Sequence, residues 1–302
     1  MKPYLTLVIM LVLTLMGCDQ QSTTETTLRY SQTPPTSHIT VYRFAVHPLH
    51  NPKKLLESYQ PLINDLNLQL HGIRIELEAS RDYQVYETKI DQREPAFLLP
   101  NPWQTLMAIE NGYNVIAMAG NADDFKGIFI VRKDSGIREP QDLIGKTVAY
   151  PSPTALAAAI MPQYFLHQAG LNIAKDIQNS YVGSQESSIM NVYLGTAAAG
   201  ATWPPPWRSF EKTRPQEAAQ LKVIWQTEPL LNNSVMVRDD VPPALAEQVK
   251  QYLLKLHQVE QGKQILAAME TEQFYAADNA RYELVREYIR RFEQDVRPVR
   301  LP

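Results

Sequence analysis

The chain has 302 residues, of which 44% are hydrophobic and 20% charged, and its formal net charge is -3. This length and apolar content suffice for one or two ordinary hydrophobic cores, and the small negative charge provides no basic surface for a nucleic acid. The single cysteine excludes an intrachain disulfide, and no cluster of Cys and His has the spacing of a zinc site, so we expect neither a metal nor a cofactor.

The first 18 residues have the features of an export signal. Lys2 supplies a positive start, and residues 5–16 are apolar except for two threonines. About 12 apolar residues are too few to span a bilayer, which requires about 20 in helical form. The sequence Leu-Met-Gly-Cys at residues 15–18 resembles the lipobox of bacterial lipoproteins. That resemblance implies that residues 1–18 are a signal peptide and that Cys18 is lipidated and anchors the mature protein to a membrane.

The residues after Cys18 indicate location and flexibility. Asp19 resembles the signal that retains lipoproteins of enterobacterial type in the inner membrane, so we expect the protein at the periplasmic face of that membrane. Residues 19–37 are rich in Ser, Thr, Gln and Pro. Such a segment cannot bury enough apolar surface to fold, which predicts a flexible tether.

From residue 38 onward, strand-like and helix-like segments alternate. Strands are predicted from alternating or short apolar runs, and helices from apolar residues at helical spacing. The first half contains predicted strands at 39–46, 73–77, 96–99, 115–119 and 128–131, and predicted helices at 52–68, 83–90 and 101–112. This alternation predicts an α/β fold with mostly parallel sheets covered by helices.

The same pattern then restarts. Predicted strands lie at 147–150, near 181, and at 199–202, 223–226 and 234–237, and predicted helices lie at 154–168, 185–194, 243–257, 260–269 and 279–292. Because the final helices have no strands of their own, we expect the tail to pack on the first unit. The predicted organisation is a discontinuous lobe 1 (38–126 and 232–302) and a lobe 2 (127–231), with crossovers at the ends of lobe 2 and a ligand cleft between the lobes.

Several segments, in their order and spacing, resemble the phosphonate-type (phosphate, phosphite and phosphonate) substrate-binding proteins of ABC importers. The informative ones are residues 41–48, Asp82-Tyr83, residues 142–149 and residues 183–186, and the resemblance covers residues 39–290. It implies a two-lobed type II periplasmic-binding-protein fold that closes on a small-molecule ligand. It further implies a monomer that delivers this ligand to an ABC permease and is not an enzyme.

The resemblance also implies an anion site at the start of the predicted helix 154–168. Family members usually have a Ser-Thr-Ser run there, and a helix N-terminus presents free N–H donors and a partial positive charge. This chain has Ser152, Pro153, Thr154 and Ala155, so two hydroxyls remain, one amide donor is lost and a methyl replaces the third hydroxyl. The alternative is that Ser152 only caps the helix, with Pro153 at its first position.

Two further departures from the family pattern make the expected cleft more apolar. Gln185 stands where relatives commonly have a histidine, and it can donate hydrogen bonds but carries no charge. Where many relatives have an acid, the sequence is Trp203, three prolines and Trp207. We expect the prolines to hold an extended backbone. Trp203, Trp207 and Trp103 then form an aromatic wall for an organic or cationic group, unless they are ordinary core residues.

Lobe 1 supplies further candidate ligand contacts. Tyr83 and the loop containing Asn101 and Trp103 follow predicted strands, and ligands of open α/β sheets bind at the carboxyl ends of strands. Tyr83 matches a tyrosine that often faces the ligand in the family, although it could equally pack its ring against the sheet. His47 also lies at a strand end, and a lone histidine there is more often structural.

Two other functional classes remain open from the sequence. An enzyme is disfavoured because there is no nucleophile elbow, phosphate-binding Gly-rich loop, catalytic cysteine or metal-binding histidine pair. A tethered binding protein can instead report its ligand to a membrane sensor kinase. The same cleft chemistry serves both roles, so the sequence does not separate an importer component from a sensor component.

Overall fold

The computed structural model describes residues 39–300. The predicted signal peptide, the tether and Cys18 therefore lie outside the described residues. Within these residues, no helix is long and apolar enough to cross a membrane.

Eleven strands are formed by the described residues. In chain order they are β1 (Thr40–Val46), β2 (Ile73–Glu78), β3 (Phe97–Leu99), β4 (Tyr113–Ala119), β5 (Ile128–Arg132), β6 (Thr147–Tyr150), β7 (Gln178–Tyr181), β8 (Ala199–Thr202), β9 (Leu221–Gln226), β10 (Ser234–Arg238) and β11 (Phe274–Tyr275).

The α-helices connect and cover these strands. They are α1 (Pro52–Leu68), α2 (Tyr83–Asp91), α3 (Pro102–Glu110), α4 (Met161–Gln168), α5 (Gln185–Tyr193), α6 (Pro204–Thr213), α7 (Pro215–Ala218), α8 (Pro243–Lys255), α9 (Glu260–Ala268) and α10 (Glu283–Asp295). A π-helical turn at Leu156–Ile160 leads directly into α4.

The strands form two sheets. The first has the order β11-β4-β10-β3-β1-β2 and the second the order β7-β6-β8-β5-β9. The predicted parallel pairing holds for β1 with β2 and β3, and for β6 with β7 and β8. β10 and β5 are antiparallel to both of their neighbours. The sheets are therefore mixed, and β5 and β10 are the strands at which the chain passes from one sheet to the other.

Caps explain why the first helices begin where the sequence predicts. The Asn51 side chain accepts a hydrogen bond from Lys54 N at the start of α1, and Asp82 accepts one from Val85 N at the start of α2. Asn101 and Gln104 form a reciprocal capping box at the start of α3. Each cap satisfies an amide that has no partner within the helix.

The C-terminal segment packs on the first sheet. β11, which the sequence analysis missed, pairs antiparallel with β4, and α10 contacts α3. Val285 and Phe292 on α10 are buried in the same cluster as Met107 and Tyr113.

The helix predicted from Thr154 begins later. Ser152 Oγ accepts a hydrogen bond from Thr154 N, and Ala155 N donates to Ser152 O, so a turn occupies residues 152–155. The first helical bonds run from Ala159 N and Ile160 N to Ala155 O. The prediction that the helix starts at Thr154 was wrong because local Ser152 bonds replace the first helical turn. The wide π-helical turn then accommodates Pro162, which has no N–H and would clash in a regular turn.

The expected extended backbone at the three prolines is also wrong. Pro204, Pro205 and Pro206 form the first turn of α6, and the first helical bond runs from Trp207 N to Trp203 O. The first residues of a helix have no intrahelical acceptor for their N–H groups, so proline costs nothing there and its fixed φ suits the helix.

Candidate functional site

A small cavity lies where the loops of both sheets meet. Its lining comes from residues that directly follow strands or precede β10: His47, Tyr83, Asn101, Phe125, Ala155, Leu156, Ala157, Ala158, Gln185, Trp203 and Asn233. Because parallel strands end at one edge of a sheet, the carboxyl ends of β1 to β3 and of β6 to β8 bring these loops together. The accessible volume is about 10 Å³, which is room for about one water molecule.

The start of the π-helical turn forms one wall of the cavity. Ala155, Leu156, Ala157 and Ala158 all line it, and the amides of the last three precede the first helical bond, which Ala159 N makes. Free amides at a helix N-terminus bind anions because N–H groups and the positive end of the helix dipole point the same way. This wall therefore suits an oxyanion.

Tyr83 and Gln185 meet across the cavity. Gln185 Nε2 donates to Tyr83 Oη at 3.2 Å, and Thr202 Oγ1 donates to Gln185 Oε1 at 2.8 Å, which fixes the orientation of the amide. Burial raises the pKa of Tyr83 well above its usual value, so its hydroxyl keeps its proton. The Tyr83 hydroxyl and the second hydrogen on Gln185 Nε2 remain available as donors to a ligand.

His47 lies at the end of β1 and is only 2% exposed. Its Nδ1 is 3.0 Å from the carbonyl oxygen of Leu99, and this contact requires the proton on Nδ1. Burial lowers the pKa of His47 to about 4, so the ring is neutral at pH 7. The other ring nitrogen, Nε2, is then a hydrogen-bond acceptor.

Two asparagines line the cavity in different ways. Both polar atoms of Asn101 are engaged: its Oδ1 accepts from Gln104 N, and its Nδ2 donates one hydrogen to Thr154 O at 3.2 Å. Asn233 is 3% exposed, and its Oδ1 has no hydrogen-bond partner among the described residues. A buried carbonyl oxygen without a donor is costly, which marks Asn233 as a position that a ligand or a water molecule satisfies.

The predicted hydroxyl ligands Ser152 and Thr154 point to a protein carboxylate instead. Thr154 Oγ1 donates to Glu87 Oε1 at 2.6 Å, and Ser152 Oγ lies 3.0 Å from Thr154 Oγ1. Gln104 Nε2 also donates to Glu87, and burial raises the pKa of this carboxyl. Ser152 and Thr154 line a neighbouring groove, with Glu87 and Arg300, and not the cavity.

The expected wall of three tryptophans does not form. Only Trp203 lines the cavity, where its ring lies 5.4 Å from that of Phe125. Trp207 is buried in the core under the second sheet and stacks on Phe210, because the helical turn of the prolines carries it away from Trp203. The Arg300 guanidinium lies over the Trp103 ring, 5.8 Å from the centroid of that ring. Both residues line a groove on the outside of α3.

A wider cavity of about 300 Å³ adjoins the small one and shares Trp203 and Asn233 with it. Arg208 forms part of its wall and donates two hydrogen bonds to the Asp124 carboxylate, at 2.9 and 2.8 Å. Glu270 contacts the same guanidinium at 3.3 Å. Arg208 is therefore paired with Asp124 and Glu270, whereas Asp123 and Glu272 on the same wall form no ion pair among the described residues.

The sequence analysis named Tyr83, Asn101, Ala155, Gln185 and Trp203, and the structure brings all five to the small cavity. It missed Asn233, the Leu156–Ala158 amides and Glu87, and it treated His47 as a structural residue. Two adjacent asparagines directly before β10, at the point where the chain returns to the first sheet, are the signal that would have indicated Asn233. Among the described residues, no cluster of His, Cys, Asp and Glu has the arrangement of a metal site.

Comparison with known proteins places the chain among transport proteins. Residues 44–282 match the model of the family described as ABC transporter, phosphonate, periplasmic substrate-binding protein. A probable phosphite-binding protein of an ABC transporter, PhnD1 from Prochlorococcus marinus, is 26% identical over 193 residues, which are 60% of this chain and 65% of PhnD1. The tetrathionate sensor histidine kinase TtrS from Salmonella typhimurium is 25% identical over 48% of this chain and 26% of the kinase. The chain thus spans less than two thirds of either relative.

Solved structures show the same fold. The structure of PhnD1 with methylphosphonate has a TM-score of 0.77 at 21% identity and covers 84% of this chain and 99% of its own. A binding-protein component of an ABC phosphonate transporter from Pseudomonas aeruginosa has a TM-score of 0.77 at 18% identity, over 85% and 87% of the two chains. These likenesses show the two-lobed fold of periplasmic binding proteins. The family model matches well over half of the residues of this chain. The chain therefore belongs to the phosphonate periplasmic substrate-binding proteins of ABC transporters.

Proposed function

We propose that this protein is the membrane-anchored solute-binding component of an ABC importer and that it binds a small phosphonate-like or other oxyanion. The observation that carries the proposal is the small cavity, whose lining includes Leu156, Ala157 and Ala158, with their free amides, together with Tyr83 and Gln185. The donors supplied by these groups suit the oxygens of an anionic head. PhnD1, which is similar in sequence, is a probable phosphite-binding protein and was solved with methylphosphonate.

The ligand extends towards Trp203 if it carries an organic tail. Trp203 lines both the small cavity and the wider one, so a tail that passes from the first to the second has its ring beside it. Trp207 and Trp103 make no part of this path. The tail therefore contacts one tryptophan where three were expected.

The site needs the two lobes to move. About 10 Å³ holds one water molecule, and every phosphonate is larger, so the cavity must widen to admit a ligand. We propose that residues 38–126 and 232–302 form one lobe, that 127–231 form the other, and that the segments leading into β5 and β10 are the hinges. Closure on the ligand then gives the permease a liganded shape to recognise.

A role as the input component of a sensor kinase is the second candidate, and the similarity to TtrS is the observation in its favour. The importer is the better supported role, because the match to PhnD1 covers more of this chain and far more of the relative. Adjacent genes for a permease and an ATPase indicate import, whereas an adjacent sensor kinase gene indicates signalling.

The anion wall can be tested by removing one amide. Leu156→Pro deletes the N–H of Leu156 at the first position of the turn, where proline is tolerated, and Ala155 before it already has an extended backbone. Leu156→Ala is the matched control, because it shortens the same buried side chain but keeps the amide. We expect Leu156→Pro to weaken oxyanion binding about tenfold or more relative to Leu156→Ala, as for a lost hydrogen bond to a charged group.

Calorimetry with phosphate, phosphite, methylphosphonate, methanesulfonate and a quaternary amine identifies the class of ligand. It also measures the difference in oxyanion affinity between Leu156→Pro and Leu156→Ala. Binding of only the amine, or equal oxyanion affinity in the two Leu156 variants, contradicts the proposed anion site.

A further inference from the structure

Two hydrogen-bond acceptors face the small cavity without a donor. His47 is neutral with its proton on Nδ1, which contacts Leu99 O, and no group in residues 39–300 donates to its Nε2. Asn233 Oδ1 is buried and unpartnered in the same stretch of chain. Both side chains are more than nine-tenths buried. The buried, unpartnered Asn233 Oδ1 indicates that the natural occupant brings a donor, and His47 Nε2 is a second acceptor on a residue that lines the same cavity.

Other groups of the lining supply donors. The amides of Leu156 to Ala158, the Tyr83 hydroxyl and the Gln185 amide nitrogen all carry hydrogens. The lining thus contains both donors and unpartnered acceptors. An occupant that satisfies both kinds carries unprotonated oxygens together with an O–H or N–H.

The charge of the lining limits the choice further. Of the described residues that line the cavity, none is Lys, Arg, Asp or Glu. A doubly charged ligand there is held by neutral dipoles alone, and the cost of removing an ion from water rises steeply with its charge. A singly charged oxyanion is the better fit. An O–H on the same head group is the simplest donor for His47 and Asn233.

We propose, building on the function proposed above, that His47 Nε2 and Asn233 Oδ1 accept a hydrogen bond from a protonated oxygen of the ligand. The site therefore selects the monoprotonated, singly charged form of a phosphonate-like oxyanion. It discriminates against the dianion and against oxyanions that have no proton to donate. His47 and Asn233 are specificity-determining residues in this account.

The protein groups nearest His47 do not gain or lose a proton in the pH range in which the ligand does. The titratable groups nearest His47 are Tyr83, whose ring centroid is 6.2 Å away, and His50. Burial and the neighbouring Lys54 lower the pKa of His50 to about 3, and burial raises the pKa of Tyr83. Above pH 5 all three groups keep one protonation state. Burial also raises the pKa of Glu87, which contacts Thr154 beside the cavity, so the change of affinity between pH 6 and pH 9 that belongs to the ligand is the one that methylphosphonate shows and methanesulfonate does not.

Methylphosphonate and methanesulfonate are matched probes, because both are small tetrahedral oxyanions with one methyl group and only the first can carry a proton near neutral pH. We expect calorimetry at pH 6 to show methylphosphonate binding about tenfold or more tightly than methanesulfonate. We also expect methylphosphonate affinity to fall about tenfold per pH unit above the second ionisation of the ligand. Methanesulfonate affinity stays constant over the same range.

Two variants of His47 distinguish the loss of the acceptor at Nε2 from a loss of folded structure. In His47→Asn the shorter amide replaces Nδ1–H as donor to Leu99 O but places nothing at Nε2, so methylphosphonate affinity falls about tenfold and methanesulfonate affinity does not. In His47→Gln the side-chain oxygen reaches the position of Nε2 and restores the preference for methylphosphonate. Asn233→Leu, which removes only the second acceptor, is an independent test with the same expected loss.

The outcomes distinguish this inference from the function on which it rests. If no oxyanion binds at all, both the proposed function and the selection fail. If methanesulfonate binds as tightly as methylphosphonate at pH 6, or if His47→Asn and Asn233→Leu weaken both ligands equally, the oxyanion site stands and the proton selection is wrong.

Discussion

The neutral state of His47 has a consequence for stability as well as for binding. Its pKa is about 4 in the folded protein and about 6.5 when exposed, so between these values the unfolded chain binds a proton that the folded protein does not. The free energy of unfolding therefore decreases as the pH falls. From pH 7 to pH 5 we expect His47 alone to remove about 2 kcal/mol, which urea denaturation at the two pH values measures.

The control for this expectation is His47→Gln, which has no titrating ring. Its loss of stability between pH 7 and pH 5 should be smaller than that of the unchanged protein by the His47 contribution. Equal losses in the two proteins would mean that His47 is solvated and protonated in the folded state.

Single residues of the site could be predicted where local sequence decides their position. Tyr83, Asn101 and Gln185 each stand at the first turn or cap of a helix that follows a strand, and such positions converge on the cleft of this fold. The partners of the Ser152 and Thr154 hydroxyls could not be predicted. Glu87 lies 67 residues before Thr154 in the chain, and nothing in the local sequence of either segment indicates that they meet.

At the scale of elements, the first turn of α6 consists of three prolines, and substitutions can test why they form a helix. Pro204 occupies the first helical position, where no N–H is needed, and it restricts the unfolded chain. We expect Pro204→Ala to lower the free energy of unfolding by about 0.4–1 kcal/mol, through the unfolded state. Chemical denaturation measures the change.

Glu211→Pro is the contrasting variant in the same helix. Glu211 is exposed and lies inside α6, so proline there removes a helical hydrogen bond and clashes with the preceding turn without emptying the core. The expected cost is about 3 kcal/mol or more. If Pro204→Ala costs as much as Glu211→Pro, the helical account of the prolines is wrong.

Element positions were predictable wherever caps and periodicity agree. The limits predicted for the helix at 52–68 and for the strands at 147–150 and 199–202 are those of α1, β6 and β8. The error at Thr154 arises because local bonds to Ser152 replace the first helical turn. The error at Pro204 arises because proline is compatible both with an extended chain and with a first helical turn. Only the surrounding packing decides between them, as it does for Trp207 under the second sheet.

At the scale of the whole molecule, the sequence at residues 15–18 predicts how the protein is held at the membrane. If Cys18 carries the lipid anchor, Cys18→Ser removes it and the protein should move from the membrane fraction to the soluble periplasmic fraction, or remain as an unprocessed precursor. Fractionation followed by immunoblotting measures this. Unchanged membrane association in Cys18→Ser would contradict lipidation.

The whole molecule is expected to close on its ligand. The direct bonds between loops of the two sheets in and beside the small cavity include Tyr83 with Gln185, Glu87 with Thr154, and Asn101 with Thr154 O. A ligand that bonds to the Leu156 to Ala158 amides and to Tyr83 gains all its contacts only when both lobes enclose it, so it shifts the population towards the closed form. Small-angle scattering should show a smaller radius of gyration with saturating methylphosphonate than without it. If calorimetry verifies that methylphosphonate is bound but the radius of gyration is unchanged, binding occurs without lobe movement. The segments before β5 and β10 are then not hinges.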